Sequence, residues 1–120
     1  MLVGASERDI ICGLGGDDQI SGRSGKDTLY GNEDNDELFG NRGDDTMFGG
    51  FGADHVNGGT GSNRVDGGPG NNDIVNVVDN DTNDFASGGR GSGDVCEVDE
   101  IAGFTDEHSA SCESVRFTRP

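Results

Sequence analysis

Basic residues are scarce in this 120-residue chain, where eight Lys and Arg face 24 Asp and Glu for a formal net charge of −16. That balance argues against nucleic acid and anionic membrane surfaces as partners, because both recruit cationic side chains. Long apolar runs are missing too. None approaches the roughly 20 residues of a membrane-spanning helix, so membrane insertion is not expected. Cysteine is limited to Cys12, Cys96 and Cys112, without the paired spacing of a zinc site. Met1 is not followed by a basic stretch and an apolar core, so no cleavable signal peptide is visible. Leu, Ile, Val and Phe total 24 residues, a fraction near the border of intrinsic disorder. Such a small apolar complement does not by itself offset the ordering entropy and the repulsion among the carboxylates, so a cationic partner is needed.

What the chain has in quantity is glycine, 23 residues against two prolines, and the glycines are periodic. From Gly4 the chain divides into eight blocks of nine: GASERDIIC, GLGGDDQIS, GRSGKDTLY, GNEDNDELF, GNRGDDTMF, GGFGADHVN, GGTGSNRVD and GGPGNNDIV. Each opens with glycine: Gly4, Gly13, Gly22, Gly31, Gly40, Gly49, Gly58 and Gly67. The sixth place holds Asp9, Asp18, Asp27, Asp36, Asp45 and Asp54, then Asn63 and Asn72. The eighth holds Ile11, Ile20, Leu29, Leu38, Met47, Val56, Val65 and Ile74. Met1, Leu2 and Val3 fit the last three places of an earlier block, so the chain is expected to start inside a repeat.

Each block reads as a six-residue turn and a three-residue strand. Glycine in the turn permits positive φ and close backbone approach. The strand alternates outward, inward, outward, and its inward residue is always Ile, Leu, Met or Val. Two blocks make one coil, so residues eighteen apart stack at roughly 4.8 Å. The sixth-place residues then form two columns, Asp9, Asp27, Asp45 and Asn63 on one edge and Asp18, Asp36, Asp54 and Asn72 on the other. Carboxylates one strand spacing apart repel unless a cation lies between them. A hard cation that takes six to eight oxygens at about 2.3–2.6 Å suits aspartates combined with turn carbonyls. Magnesium keeps its waters and suits the site less well, and zinc wants His or Cys, which the turns lack. Several structural Ca2+ ions are the expected cofactor.

The pattern resembles GGxGxDxUx, the calcium-binding nonapeptide of the RTX (hemolysin-type) family, over residues 4–75. The resemblance implies an all-β fold, a right-handed parallel β-roll with an irregular C-terminal cap. It implies ions between a turn and the one two blocks later: Asp9 with Asp27, Asp27 with Asp45, Asp18 with Asp36, and Asp36 with Asp54. Weaker sites pair Asp45 with Asn63 and Asp54 with Asn72, since an amide is a neutral ligand. The turn glycines Gly13, Gly22, Gly31, Gly40, Gly49 and Gly58 belong to the same sites. Departures are Glu7 and Asp34 at the fourth-place glycine, the first being the harder to accommodate, and a second-place glycine missing before Gly50. In the last block Asp73 stands one place late, which points to a slip of register there.

After Val75 the period fails. Residues 1–75 are therefore read as calcium-binding repeats, and 76–120 as an irregular acidic segment with one degenerate repeat and a cap. Asp79, Asp81 and Asn83 alternate like the start of an EF-hand loop, but Asp84 stands where that loop needs glycine and Arg90 where it needs glutamate. A solvated acidic loop is expected instead. With Gly89 in first place, Asp94 falls sixth and Cys96 eighth. The stretch DVCEVDE…CESV is similar to the ends of short secreted RTX-like proteins that close in paired cysteines. The resemblance thus implies a Cys96–Cys112 disulfide capping the roll, with two reduced cysteines as the alternative. Cys12, in an outward ninth place, has no evident partner.

Tyr30 and Phe48, eighteen apart in outward places, should stack on one face, with Phe39 on the other. A supporting aromatic ladder is expected over a binding patch. There is no HExxH, GxSxG or Walker A motif, and periodic carboxylates facing glycine turns read as metal ligands, not as acid and base. His55 is outward and His108 lies in the suspected disulfide loop. The chain is therefore expected not to be an enzyme. The expected function is extracellular calcium binding coupled to folding. Alternatives are a calcium-folded secretion or stability module of a larger toxin, protease or lipase, and a surface adhesion module.

Overall fold

The computed structural model describes residues 1–78, 84–101, 104–105, 107–108, 112 and 114–118. Its elements are all strands: β1 Leu2–Val3, β2 Ile10–Cys12, β3 Gln19–Ser21, β4 Thr28–Asn32, β5 Glu37–Phe39, β6 Thr46–Gly50, β7 His55–Asn57, β8 Arg64–Asp66, β9 Ile74–Asn76, β10 Phe85–Ser87, β11 Val95–Ile101, β12 Phe104–Thr105, β13 Glu107–His108 and β14 Ser114–Thr118. Among the described residues no helix is long and apolar enough to cross a membrane.

Successive strands up to β11 alternate between two sheets. One runs β1-β3-β5-β7-β9-β11-β12, with β14 also on β11, and the other runs β13-β10-β8-β6-β4-β2. Every pairing is parallel except the short β11–β12 return. A chain that changes sheet at each turn and pairs in parallel with the strand after next is a β-roll. The register is the nine-residue period doubled, with Ile11 opposite Leu29, Leu29 opposite Met47, and Met47 opposite Val65.

That register puts one apolar side chain per strand between the sheets. Ile20, Leu29, Leu38, Met47, Val56, Val65, Val75, Ala86 and Cys96 are fully buried, with Val77 and Val98 beside them. Ile11, in the first coil, is only partly buried. The flanking strand residues face out, as pleating demands. Tyr30 and Phe48 stack with centroids 5.3 Å apart and planes at 10°, whereas Phe39 lies in the other sheet between Ser21 and Asn57.

The structure alters the reading of the last repeats. The slip of register at the eighth block is real: Asp73 and Val75 are buried, while Ile74 is 37 % exposed and Asn72 is exposed. The turn there is one residue longer, and Asn72 absorbs the extra residue in a left-handed conformation (φ 65°), which an asparagine tolerates. The period of nine does end at this point, but the stacking does not. Strand β10 pairs with β8 and β11 with β9, at offsets of 21 residues. Asp84 and Ala86 thus occupy the sixth and eighth places of a further turn-and-strand unit. The degenerate repeat at Asp94 and Cys96 is present, with Gly88 in first place: its carbonyl lies 2.8 Å from a Cβ placed on Gly67, as the Gly67 carbonyl lies 2.5 Å from one on Gly49. The acidic loop expected at residues 79–83 lies outside the described residues.

Candidate metal sites

Glycine and aspartate work together in the turns. A Cβ on the first-place glycine would meet Oδ2 of the aspartate five residues later. At Gly13 and Gly49 that approach would be 2.7 Å, and at Gly22, Gly31 and Gly40 it would be 2.5 Å. It would also press on the first-place carbonyl of the next coil, as at Gly22, where the Gly40 carbonyl would stand 3.1 Å away; the Gly58 carbonyl stands similarly against Gly40. First-place glycine is therefore required for room, and its φ is not positive. From the second block to the seventh the positive φ falls on the second and fourth places, and there the second takes it whatever its residue: Leu14, Arg23, Asn32 and Asn41 have φ of 70–76°.

The sixth-place carboxylates divide their two oxygens between two tasks. Oδ1 accepts the backbone N–H of the sixth-place residue one coil earlier: Asp27 from Asp9 at 2.8 Å, Asp36 from Asp18 at 2.7 Å, Asp45 from Asp27 at 2.9 Å, and Asp54 from Asp36 at 2.8 Å. Asn63 accepts likewise from Asp45, and Asp73 from Asp54. Two further rungs, Asp84 accepting from Asn63 and Asp94 from Asp73, extend both columns past the regular repeats. Oδ2 has the other task. In Asp18, Asp27, Asp36, Asp45, Asp54 and Asp73 this atom is buried with no hydrogen-bond partner. A buried anionic oxygen left so is costly.

Asp27, Asp36, Asp45, Asp54 and Asn63 are buried in line, while Asp18 and Asp9 at the open end are half-buried. The first turn is irregular. Neither Ala5 nor Glu7 takes a positive φ, and Asp9 Oδ2 accepts the Ala5 N–H at 2.6 Å. Asn72 is outside the column, its expected place being taken by Asp73.

Asn63 reveals what faces the orphaned oxygens elsewhere. Its Nδ2 stands where Oδ2 stands in the aspartate turns and donates to the carbonyls of Gly59 at 3.1 Å and Gly61 at 3.3 Å. By the equivalence of the regular six-residue turns, the Oδ2 of Asp18, Asp27, Asp36, Asp45 and Asp54 looks toward second- and fourth-place carbonyls, an all-oxygen set with no proton to share. Such a set fits a hard cation such as calcium. Among the described residues no three His, Cys, Asp or Glu side chains converge, so main-chain oxygens must complete any site.

Titration reflects the same deficit of positive charge. Burial pushes the carboxyls of Asp36, Asp45 and Asp54 up from the ordinary 3.8 to about 6, and that of Asp73 to about 7. Asp27 is also raised by burial. The backbone N–H bonds oppose these shifts, and the neighbouring aspartate in the column adds to them.

The position-five ladder escaped the sequence reading. Asp17 Oδ1 accepts the Asn35 N–H at 3.0 Å, Asn35 Oδ1 the Ala53 N–H at 2.8 Å, and Asp44 Oδ1 the Ser62 N–H at 2.9 Å. These bonds latch successive coils without metal. Asp/Asn recurrence in the fifth place was the available signal. At the far end, Cys96 and Cys112 form a disulfide, and Cys12 is exposed and unbonded.

The family model for the RTX calcium-binding nonapeptide repeat (4 copies) matches the chain at residues 3–38, 13–47, 21–56, 39–74 and 48–82. No curated protein and no solved structure matches it.

Proposed function

The chain belongs to the RTX calcium-binding nonapeptide repeat family, and on that premise we propose that it is an extracellular protein that folds as it takes up several calcium ions between stacked turns. The observation that carries this reading is the row of buried Oδ2 atoms without a hydrogen-bond partner in Asp18, Asp27, Asp36, Asp45, Asp54 and Asp73. The residues proposed to hold the ions are these aspartates with the second- and fourth-place carbonyls of their turns. Asp9, already satisfied by its own turn, is the weakest of the column.

When bound, calcium supplies charge compensation and oxygen coordination, not chemistry on a substrate. The chain's own part is to supply the turn carbonyls and to join the coils through the Oδ1 bonds. Without the ion, a formal charge of −16 and a core one residue wide leave little to hold the roll, so binding and folding become one event. The Cys96–Cys112 disulfide supports an oxidising location. Calcium there is plentiful enough for the about 10⁻⁴–10⁻³ M affinities of extracellular modules.

The test is a calcium titration of chelator-treated protein, followed by far-UV circular dichroism with magnesium as control. A cooperative coil-to-β transition with calcium alone is expected. A β spectrum that survives complete chelation unchanged would show that metal is not what folds the repeats.

A further inference from the structure

We infer that Asn63 closes its own turn without an ion, so that one of the two calcium columns is interrupted between Asp45 and Asp84 while the other is not. The inference rests on the calcium reading above and concerns where the ions do not go.

The turn at residues 58–63 is geometrically competent. It carries glycine in the first, second and fourth places, and Gly59 (φ 78°) and Gly61 (φ 101°) have the left-handed conformation of the aspartate turns. What differs is the head group. A Cβ on Gly58 would meet Asn63 Nδ2 at 2.9 Å, just as one on Gly22 or Gly40 would meet Oδ2 of Asp27 or Asp45 at 2.5 Å. The amide nitrogen therefore occupies the place of the orphaned carboxylate oxygen. Its two protons reach the Gly59 and Gly61 carbonyls, while Oδ1 accepts the Asp45 N–H at 2.9 Å.

The orientation of this amide is dictated by its surroundings. Turned over, it would point its oxygen at two carbonyl oxygens and its NH2 at a backbone N–H, a mismatch at all three contacts. For the carbonyls to bind calcium beside Asn63, the ion would have to break both Nδ2 bonds and gain no charge in return. On the opposite edge Asp18, Asp36, Asp54 and Asp73 follow one another without such a substitution. The two edges of the roll thus differ in ion content, and the difference is set by one atom.

The experiment counts calcium ions by native mass spectrometry on calcium-loaded wild-type protein and Asn63→Asp. The variant should retain at least one ion more than the wild type. Equal counts in two folded proteins overturn the inference while leaving the calcium reading intact. A wild-type protein that retains no calcium sinks that reading and this inference with it. Should Asn63→Asp not fold, anomalous scattering from calcium-loaded wild-type crystals decides: ions at the Asp27 and Asp45 turns with none at Gly59 and Gly61 sustain the inference, and an ion at Gly59 and Gly61 refutes it.

Discussion

Asp54 reaches back one coil to accept the Asp36 N–H at 2.8 Å with Oδ1, and its Oδ2 is buried with no hydrogen-bond partner. One oxygen serves the fold and the other is the proposed cation ligand. The two roles separate in mutants, because asparagine keeps the first and alters the second.

Asp54→Asn should therefore act in opposite directions in the two states. In chelator it removes an uncompensated buried charge and stabilises the roll by about 1–3 kcal/mol. In excess calcium it forfeits an ion and lowers stability by a similar amount, since a ligand at a hundred times its Kd contributes about 2.7 kcal/mol. Asp54→Ala, which also loses the Oδ1 bond, should destabilise in calcium more than Asp54→Asn does. The β signal of chelated protein and thermal melts in excess calcium check this, and a shift of the same sign in both would contradict the division of labour.

Acid should substitute for calcium in part. The folded-state carboxyls of Asp36, Asp45, Asp54 and Asp73 lie at about 6 to 7, above an unfolded value of about 3.9. The metal-free roll thus binds protons more tightly than the unfolded chain does. That contribution is fully present below the unfolded value and is lost as pH rises through 6 to 7. Chelated protein should show more β signal at about pH 5 than at about pH 8. Calcium affinity should run the other way and fall on acidification, as protons compete for the same oxygens. Chelated protein that gains β structure as pH rises would refute the assignment of these carboxyls.

Reduction of Cys96–Cys112 should lower stability in calcium by about 3 kcal/mol, the chain-entropy value for a loop of this size. Because Cys12 is exposed and unbonded, a reductant acts on this one pair. Differential scanning calorimetry with and without reductant gives the answer, and an unmoved transition would show that the disulfide does not restrain the unfolded chain.

The Tyr30–Phe48 stack should show a coupling of about 0.5–1.5 kcal/mol in a double-mutant cycle to alanine. Phe39, flanked by Ser21 and Asn57 in its sheet, should cost less when truncated. Neither change should alter the number of bound calcium ions. Equal losses at Phe39 and Phe48, with no coupling to Tyr30, would remove the ladder as a source of stability.

Much of this was legible in the residues because a nine-residue period with one inward side chain per strand admits few arrangements. The Leu29 and Met47 column, the Asp27 and Asp45 column and the Tyr30–Phe48 pair all follow from stacking at eighteen. Legibility ended where turn length changed. Ile74 and Asn72 fit the period of nine, yet the structure buries Val75 and Asp73, because an added residue in a turn costs only local φ/ψ adjustment whereas an exposed core residue and a misplaced carboxylate cost more. Asp84 and Ala86 escaped notice for the same reason, their turn being longer still and their apolar residue the smallest in the column.

The sequence by itself determined which residue types stand in line, since periodicity alone sorts side chains into inward and outward columns and brings acid next to acid. Only the tertiary structure decided which atom of each residue meets which. That Asp27 spends Oδ1 on the Asp9 N–H and leaves Oδ2 bare, that Leu14 and Arg23 bend into left-handed turns without glycine, and that Asn63 Nδ2 bonds Gly59 and Gly61 all depend on how one coil settles on the next. Hydrogen bonds are short and directional, so their pairing is fixed only once the coils are in contact.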